Sequence, residues 1–445
     1  MSISVKNAGG GSSSKIENGV EHLCMVKPDT SVPKNSFVAY EMVKTNPQIS
    51  PFKIYPCMDK AELSDGKFLL IYMSSTTNNN NNTPIYARIL TETNSGVLAG
   101  EQTLIGNAKN TRMISVDKID NNRAIVSFGS TLKCVIVSVD GENVISVGEI
   151  ASIDATSDAA YTGIISSIVV RDSATAVIAY SYSSSNKLAI AVVKFSDMSI
   201  ISSFHAVVVD TAYYAEAIVA FKDDDTLFVI SANNASVSTP FLVCMPVVIS
   251  NNSVSVGTKV FLSRYSGANS INRCKMQIHK TSTYYALFYP YKYDSTDIRV
   301  ALMTLLIQDG TVSAVQSTYL FSQASNSAQG FDTDIESEDR LIVACKHQDT
   351  NILSIGYIDI LNSGGIDIQP DWDNSFGAGN TGGVVQAVAL KFKHYEKFYY
   401  TDGNVITREY TRLNSVRTTE PGESIYGVST QSGNGNQVIK IVTNE

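Results

Sequence analysis

Seven short apolar runs recur along the chain at nearly constant intervals. They are Phe68–Tyr72, Ala124–Phe128, Ala176–Tyr180, Leu227–Ser231, Tyr285–Tyr289, Leu341–Cys345 and Lys397–Thr401, and their last residues lie 51 to 58 positions apart. Short runs rich in apolar, β-branched and aromatic residues, bounded by polar turns, read as strands covered on both faces. A strand and a polar turn precede each run, as at Ser64-Asp65-Gly66, Asp223-Asp224-Asp225 and Glu336-Ser337-Glu338. A polar loop and a further apolar strand follow, as at Cys134–Val139 or Ile298–Ile307; a turn such as Asp140-Gly141 or Asp309-Gly310 then leads into a fourth strand. These fourth strands are alike: Val144–Ile153, Val254–Leu262 and Val312–Leu320. A single four-stranded antiparallel unit cannot bury both of its faces, whereas several packed radially about an axis can. The repeat therefore predicts an all-β chain folded as a seven-bladed β-propeller of four-stranded antiparallel blades.

The seventh repeat has no evident fourth strand in Ser415–Glu423, while Gln48–Tyr55, just ahead of the first repeat, carries the fourth-strand pattern. That N-terminal strand is expected to complete the last blade, closing the ring and removing its exposed edges. The chain then divides into an N-terminal attachment segment 1–45, a propeller 46–411 and a C-terminal β-hairpin appendix 412–445. The first contains the flexible run Gly9–Ser14; the last places strand-like Ser424–Val428 and Val438–Val442 around Ser432-Gly433-Asn434-Gly435. Both ends of a closed ring fall beside the same blade, so the two tails are expected to pack together as a small β appendix.

Only 17% of the 445 residues are charged, below the roughly 25% of ordinary globular chains. The net charge is −8 and no basic stripe occurs, which excludes a nucleic-acid partner and disfavours anionic membranes. No stretch of 18 apolar residues is present, so no membrane insertion is expected. The start Met1-Ser2-Ile3-Ser4 lacks the features of a secretory signal peptide, which predicts synthesis in the cytoplasm. The six cysteines form no C-x-x-C pair and sit mostly in apolar runs, the pattern of buried free thiols.

Motifs of chemistry are sparse. The five histidines show no metal-ligand spacing and the acidic clusters no calcium loop, so neither a metal nor a cofactor is expected. P-loop, G-x-S-x-G and HExxH patterns are absent, and one tryptophan, Trp372, is too few for repeated sialidase Asp-boxes or WD40 signatures. The reading is a protein that is not an enzyme. The alternative, a carbohydrate-active enzyme such as a depolymerase, requires two carboxylates near the axis, with Asp332 or Asp334 paired with Asp65 as the positions to inspect. What remains is loop surface rich in Tyr, Asn, Ser and Asp. Tyr rings stack on sugars, and the same residues dominate adaptable binding loops. The candidate ligand-binding residues are Tyr180, Tyr182, Tyr213, Tyr214, Tyr291, Tyr293, Asp294 and His347. The loops at 180–186 and 289–295 both follow an apolar run, so they are expected on one face of the ring.

The C-terminal segment resembles the ending of many structural proteins of tailed bacteriophages, of the type GIA-x-x-SG-x-x-G-x-x-V-x-V. Tyr426-Gly427-Val428, Ser432-Gly433, Gly435 and Val438 occupy the matching places, and the Gly/Ser-rich start is similar to that of phage tail and fibre proteins. The resemblance covers about a tenth of the chain, and no fibrous or collagen-like shaft accompanies it. It implies a virion protein that docks onto other virion or tail proteins through its termini and binds a bacterial surface glycan or protein receptor. A homo-oligomer is a further expected partner, and a purely structural decoration or collar protein the remaining alternative.

Overall fold

The computed structural model describes residues 3–6, 13–16, 20–45, 48–52, 58–64, 66–73, 83–93, 96–108, 114–129, 132–153, 166–182, 187–207, 215–233, 241–250, 253–264, 276–292, 297–324, 331–346, 352–369, 373–377, 386–401, 407–420, 426–435 and 437–443. Six antiparallel sheets follow one another in chain order, each built from consecutive strands. The innermost strands of these six blades are Met58–Ser64, Ser115–Asp120, Ser166–Asp172, Ala215–Asp223, Gln277–Lys280 and Phe331–Ser337. Each pairs with the strand bearing the apolar run of its repeat, and the third and fourth strands complete the meander.

The hairpins obey local chemistry. Asp309 and Gly310 join the third and fourth strands of the fifth blade with φ of 51° and 70°, the left-handed pair that matches the twist of a two-residue hairpin. In the second blade the outer strand is split into Ile145–Val147 and Ala151–Ser152. At the split, Gly148 N–H donates to Ile136 O at 2.9 Å, and a Cβ on Gly148 would stand 2.2 Å from Met198 O. Any side chain there would drive the second blade from the third.

Among the described residues the four-stranded blades number six, not seven. The seventh repeat enters an eight-stranded sheet instead, in which Gln386–Lys391, Tyr395–Thr401 and Thr407–Thr418 are joined by strands from both chain ends. Its third strand is 12 residues long, and that length is the reason. The first half, Thr407 to Leu413, pairs with Tyr395–Thr401 and, at Arg408 and Glu409, with Gln48–Ile49. The second half runs on past the hairpin, unbroken through position 411, and Asn414 to Thr418 pair with Met42 to Val38 of Phe37–Lys44.

That overrun seeds a second structure. Phe37–Lys44 pairs with Gly427–Ser429, which pairs with Val438–Thr443, which pairs with Val20–Val26. Met25 and Val26 of the last strand lie parallel to Ser415 and Val416. Five strands thus return to their starting point as a small closed barrel around Val26, Val32, Val38, Val416, Ile439 and Ile441. Two glycines of the C-terminal motif are packing requirements of this barrel. A Cβ on Gly433 would lie 2.3 Å from Ile439 Cγ2, and one on Gly435 2.7 Å from Asp29 N. Ser429, fully buried, donates its hydroxyl to Pro33 O at 2.6 Å and accepts Ser36 N–H at 3.0 Å.

Around the ring, an apolar cluster fills each junction between neighbouring blades, with two more on either side of the eight-stranded sheet. Phe52, next to the closing strand, sits between the ends of the ring: its ring centroid is 5.0 Å from Tyr399, 6.0 Å from Tyr72, and 4.6 Å from the Arg88 guanidinium. Of the cysteines, Cys134, Cys244 and Cys345 are buried free thiols and Cys24 is a half-buried one; Cys57 and Cys274 lie outside the described residues.

Candidate functional site

The blades stand radially, so side chains on an innermost strand point toward the next blade or the previous one. Asp59, Ser115, Ser167, Gln277 and Asp332 share one register position, opposite the next-to-last residue of their own apolar run. From there most of them reach the next blade's backbone. Val116 N–H donates to Asp59 Oδ2 at 2.9 Å, Ile168 N–H to Ser115 Oγ at 3.0 Å and Ala220 N–H to Ser167 Oγ at 2.9 Å. Ala389 N–H donates to Asp332 Oδ2 at 2.9 Å. Two residues further on, Asp117 accepts Val170 N–H at 2.6 Å and Asp334 accepts Lys391 N–H at 2.9 Å. The result is a hydrogen-bonded belt around the channel that caps edge amides which would otherwise be buried without a partner.

Between blades five and six the belt becomes a directed chain. The Asp332 carboxylate only accepts, so the Gln277 amide presents its NH2 to it and its Oε1 to Thr333. Thr333 must then donate to Gln277, at 2.7 Å, and accept from His279 Nε2 at 2.6 Å, which places a proton on Nε2. At the far end, Lys60 reaches back past the seventh sector. Its ammonium lies 2.9 Å from Asp332 Oδ2, 3.3 Å from Asp334 Oδ2 and 2.9 Å from Thr333 O, and it also donates to Ala389 O. Burial by itself would lower the Lys60 pKa, but the two carboxylates outweigh it and hold the ammonium above its ordinary value. Lys60 therefore joins blade one to blade six as a charged clasp.

Within the belt lies a cavity of about 420 Å3 on the axis, lined by the innermost strands of blades one to six. Asp59, Ser115, Asp117, Ser167, Gln277 and His279 border it, with Val169, Phe221 and Met276 as its apolar wall. Burial pushes the Asp117 carboxyl up to about 6 despite the amides of Val170 and Lys118, and neighbouring Asp59 adds to the rise. Among the described residues no group of three or more metal-ligating side chains converges.

The candidates named from sequence fare differently. Tyr180 is corrected: it is fully buried, within the apolar cluster between blades two and three. The last residue of an apolar run is core, as Tyr72 and Tyr289 also are. Tyr182 and Tyr291 belong to strands Thr175–Tyr182 and Tyr285–Lys292, opposite Lys187 and Arg299. Both lie beyond the residues that face the starts of the innermost strands, and so at the same end of the ring. Tyr213, Tyr214, Tyr293, Asp294 and His347 lie outside the described residues, as does Asp65. The acidic run of blade six, inspected as a catalytic source, is inter-blade cement: Asp332 and Asp334 hold Lys60, Glu336 meets Lys391 at 3.2 Å, and Asp339 accepts Ser282 N–H at 3.0 Å. Sequence reading missed Lys60, Ser115 and Ser167. Alignment of the strands before the apolar runs would have placed Asp59, Ser115, Ser167, Gln277 and Asp332 in one column.

No known family model matches the chain, and no curated protein matches its sequence. Solved structures align with most of it at low identity. The hypothetical selenium-binding protein of Sulfolobus tokodaii has a TM-score of 0.49 at 8% identity, over 86% of this chain and 95% of its own. The parainfluenza virus 5 hemagglutinin-neuraminidase ectodomain has 0.41 at 10%, over 89% and 88%. The WD40 domain of SCAP from fission yeast has 0.40 at 9%, over 91% and 94%. At these scores the chemistry of the site rests on its own residues.

Proposed function

We propose that this protein is a non-enzymatic virion structural protein of a tailed bacteriophage or phage-tail-like particle, a receptor-binding or tail-fibre protein that recognises a bacterial surface glycan. One observation carries the reading: the terminal barrel and the loop face lie at opposite ends of the ring. Thr407 pairs with Thr401, at the loop end of the seventh sector, whereas Leu413 pairs with Tyr395 at the other end. The barrel is built on Asn414 to Thr418, beyond Leu413. Tyr182 and Tyr291 occupy positions near the strand ends at the opposite face. Such a body docks by one end and presents loops at the other. Support also comes from the resemblance of the C-terminal segment to the ending of phage structural proteins; its Gly433 and Gly435 are packed into the barrel.

Docking partners are other virion or tail proteins, met through the terminal barrel. Recognition is non-catalytic, and several copies on one particle multiply weak single-site binding. The test is binding of the labelled full-length protein to intact host bacteria, with released soluble sugar scored in the same tube. Saturable binding without release, competed by cell-surface glycan, is expected. Release of sugar would instead establish the depolymerase, and neither binding nor release would leave a decoration or collar protein.

A further inference from the structure

The belt orients its side chains without exhausting them. Ser115 and Ser167 use their oxygens as acceptors, for Ile168 N–H and Ala220 N–H. A hydroxyl held in that way keeps its own hydrogen to donate. Each Asp117 oxygen accepts one amide, Lys118 N–H at 2.8 Å and Val170 N–H at 2.6 Å, and a carboxylate oxygen has a second lone pair. The axial cavity is therefore bordered by hydroxyl donors and carboxylate acceptors whose positions the fold has already fixed, beside the apolar surface of Val169 and Phe221. Its charge is also defined. Among the described lining residues the ammonium groups are Lys60, held by Asp332 and Asp334, and Lys222, which donates to Arg171 O at 2.9 Å. Lys222 keeps its charge in that bond, but with Asp332 and Asp334 counted beside Asp59 and Asp117 the carboxylates at the cavity outnumber the ammonium groups four to two, which leaves it acidic.

Fixed donors and acceptors next to an apolar wall suit a ligand with several hydroxyls on a ring that has an apolar face. An acidic wall rejects an anionic one. We propose that the axial cavity is a subsite for one neutral pyranose unit, held by Ser115, Ser167 and the Asp117 carboxylate. A volume of about 420 Å3 is enough to enclose such a unit. The inference rests on the glycan-binding reading and deepens it, because the cavity lies on the axis of the ring rather than in the loops.

The experiment is saturation-transfer NMR on the full chain with D-glucose, D-galactose, N-acetyl-D-glucosamine and D-glucuronate as probes. It is repeated on Ser167→Ala, Asp117→Asn and Ser115→Thr, each checked for a cooperative melt. Ser115→Thr keeps the hydroxyl that bonds Ile168 N–H and adds a methyl group, so it controls for damage to the belt. At least one neutral sugar is expected to bind and glucuronate is not. Ser167→Ala and Asp117→Asn should weaken the neutral sugar by about tenfold each, and Ser115→Thr should weaken it while melting as wild type does. Equal binding of glucuronate, unchanged affinity in folded variants, or no sugar signal in wild type overturns the subsite. Cell binding by the same variants separates the two readings: variants that bind cells normally sink the cavity and leave the receptor-binding function standing.

Discussion

Two junctions of the ring solve the same packing problem with opposite chemistry. Where blade six meets the seventh sector and blade one, the shared register position is Asp332, Lys60 and Asp334 complete a charged cluster with it, and Lys391 pairs its ammonium with Glu336 while its N–H donates to Asp334. Where blade four meets blade five, the equivalent residue is Val219, opposite Ile230, and two places on stands Phe221. Phe221 stacks on Phe228 at 5.3 Å between centroids and meets Tyr285, tilted by 48°, at the same distance. Polar contact at that junction retreats to the rim, where Asp223 accepts Tyr285 Oη at 2.6 Å and Lys280 Nζ at 2.9 Å. One ring thus accommodates both an ionic and an aromatic seam. What differs is the response to damage: an apolar seam degrades with lost volume, while an ionic seam fails through whatever charge is left behind.

The largest effect is therefore expected at the clasp. Lys60→Ala leaves Asp332, only 4% exposed, without its ammonium. Removing one partner of a buried pair costs about 3–5 kcal/mol. Chemical denaturation should show that loss with little change in the far-ultraviolet spectrum. A loss below about 1 kcal/mol, the value of an exposed pair, would mean that water reaches the clasp and that the contrast between the seams is false.

A second test uses the pH dependence of Asp117. Its folded pKa of about 6 exceeds the roughly 3.9 of an unfolded aspartate. Between those values the folded chain binds the extra proton, so this contribution to stability rises as pH falls from 7 to 4. Asp223 acts in the opposite sense. Burial raises it, but Tyr285 and Lys280 outweigh burial and hold it below the ordinary range, so its contribution is lost on acidification. Comparison with Asp117→Asn isolates the first effect. Between pH 7 and pH 4, wild type should gain on the order of 2 kcal/mol relative to the variant. Parallel stability curves would show that Asp117 is not buried enough to matter.

Much of this architecture is legible in the chain, because a propeller repeats its signal. The apolar runs locate the strands that pair with the innermost ones, and Gln48-Ile49 was recognisable as a stray outer strand. Burial of Tyr180 was legible from the same repeat, since Tyr72 and Tyr289 occupy its place; local loop composition concealed it. That the two tails pack as a β appendix was legible; the closure of that appendix into a barrel was not. Its closing contact joins Met25 and Val26 to Ser415 and Val416, and strands that pair with the far end of a chain leave no local periodicity. The acidic run from Asp332 to Asp339 misled for a related reason. Composition shows the charges, but their partners lie in other repeats, as with Asp332 and Ala389, 57 residues apart.

The smallest expected effect is also the sharpest test of whether the belt is a property of the fold or of particular residues. Val219 stands in the column of Ser167, and Ile278 follows Gln277 as Ala220 follows Val219. If the geometry of the seams is shared, Val219→Ser places a hydroxyl where Ile278 N–H can donate to it, as Ala220 N–H does to Ser167. The substitution gives up apolar burial of about 1.5–3 kcal/mol and regains a hydrogen bond of about 1 kcal/mol. The expected net loss is about 1 kcal/mol. Slower amide exchange at Ile278 would confirm that the new bond forms. A loss above about 3 kcal/mol without that protection would mean a buried hydroxyl with no partner. In that case the aromatic seam has its own spacing, and the two chemistries are not interchangeable solutions to one geometry.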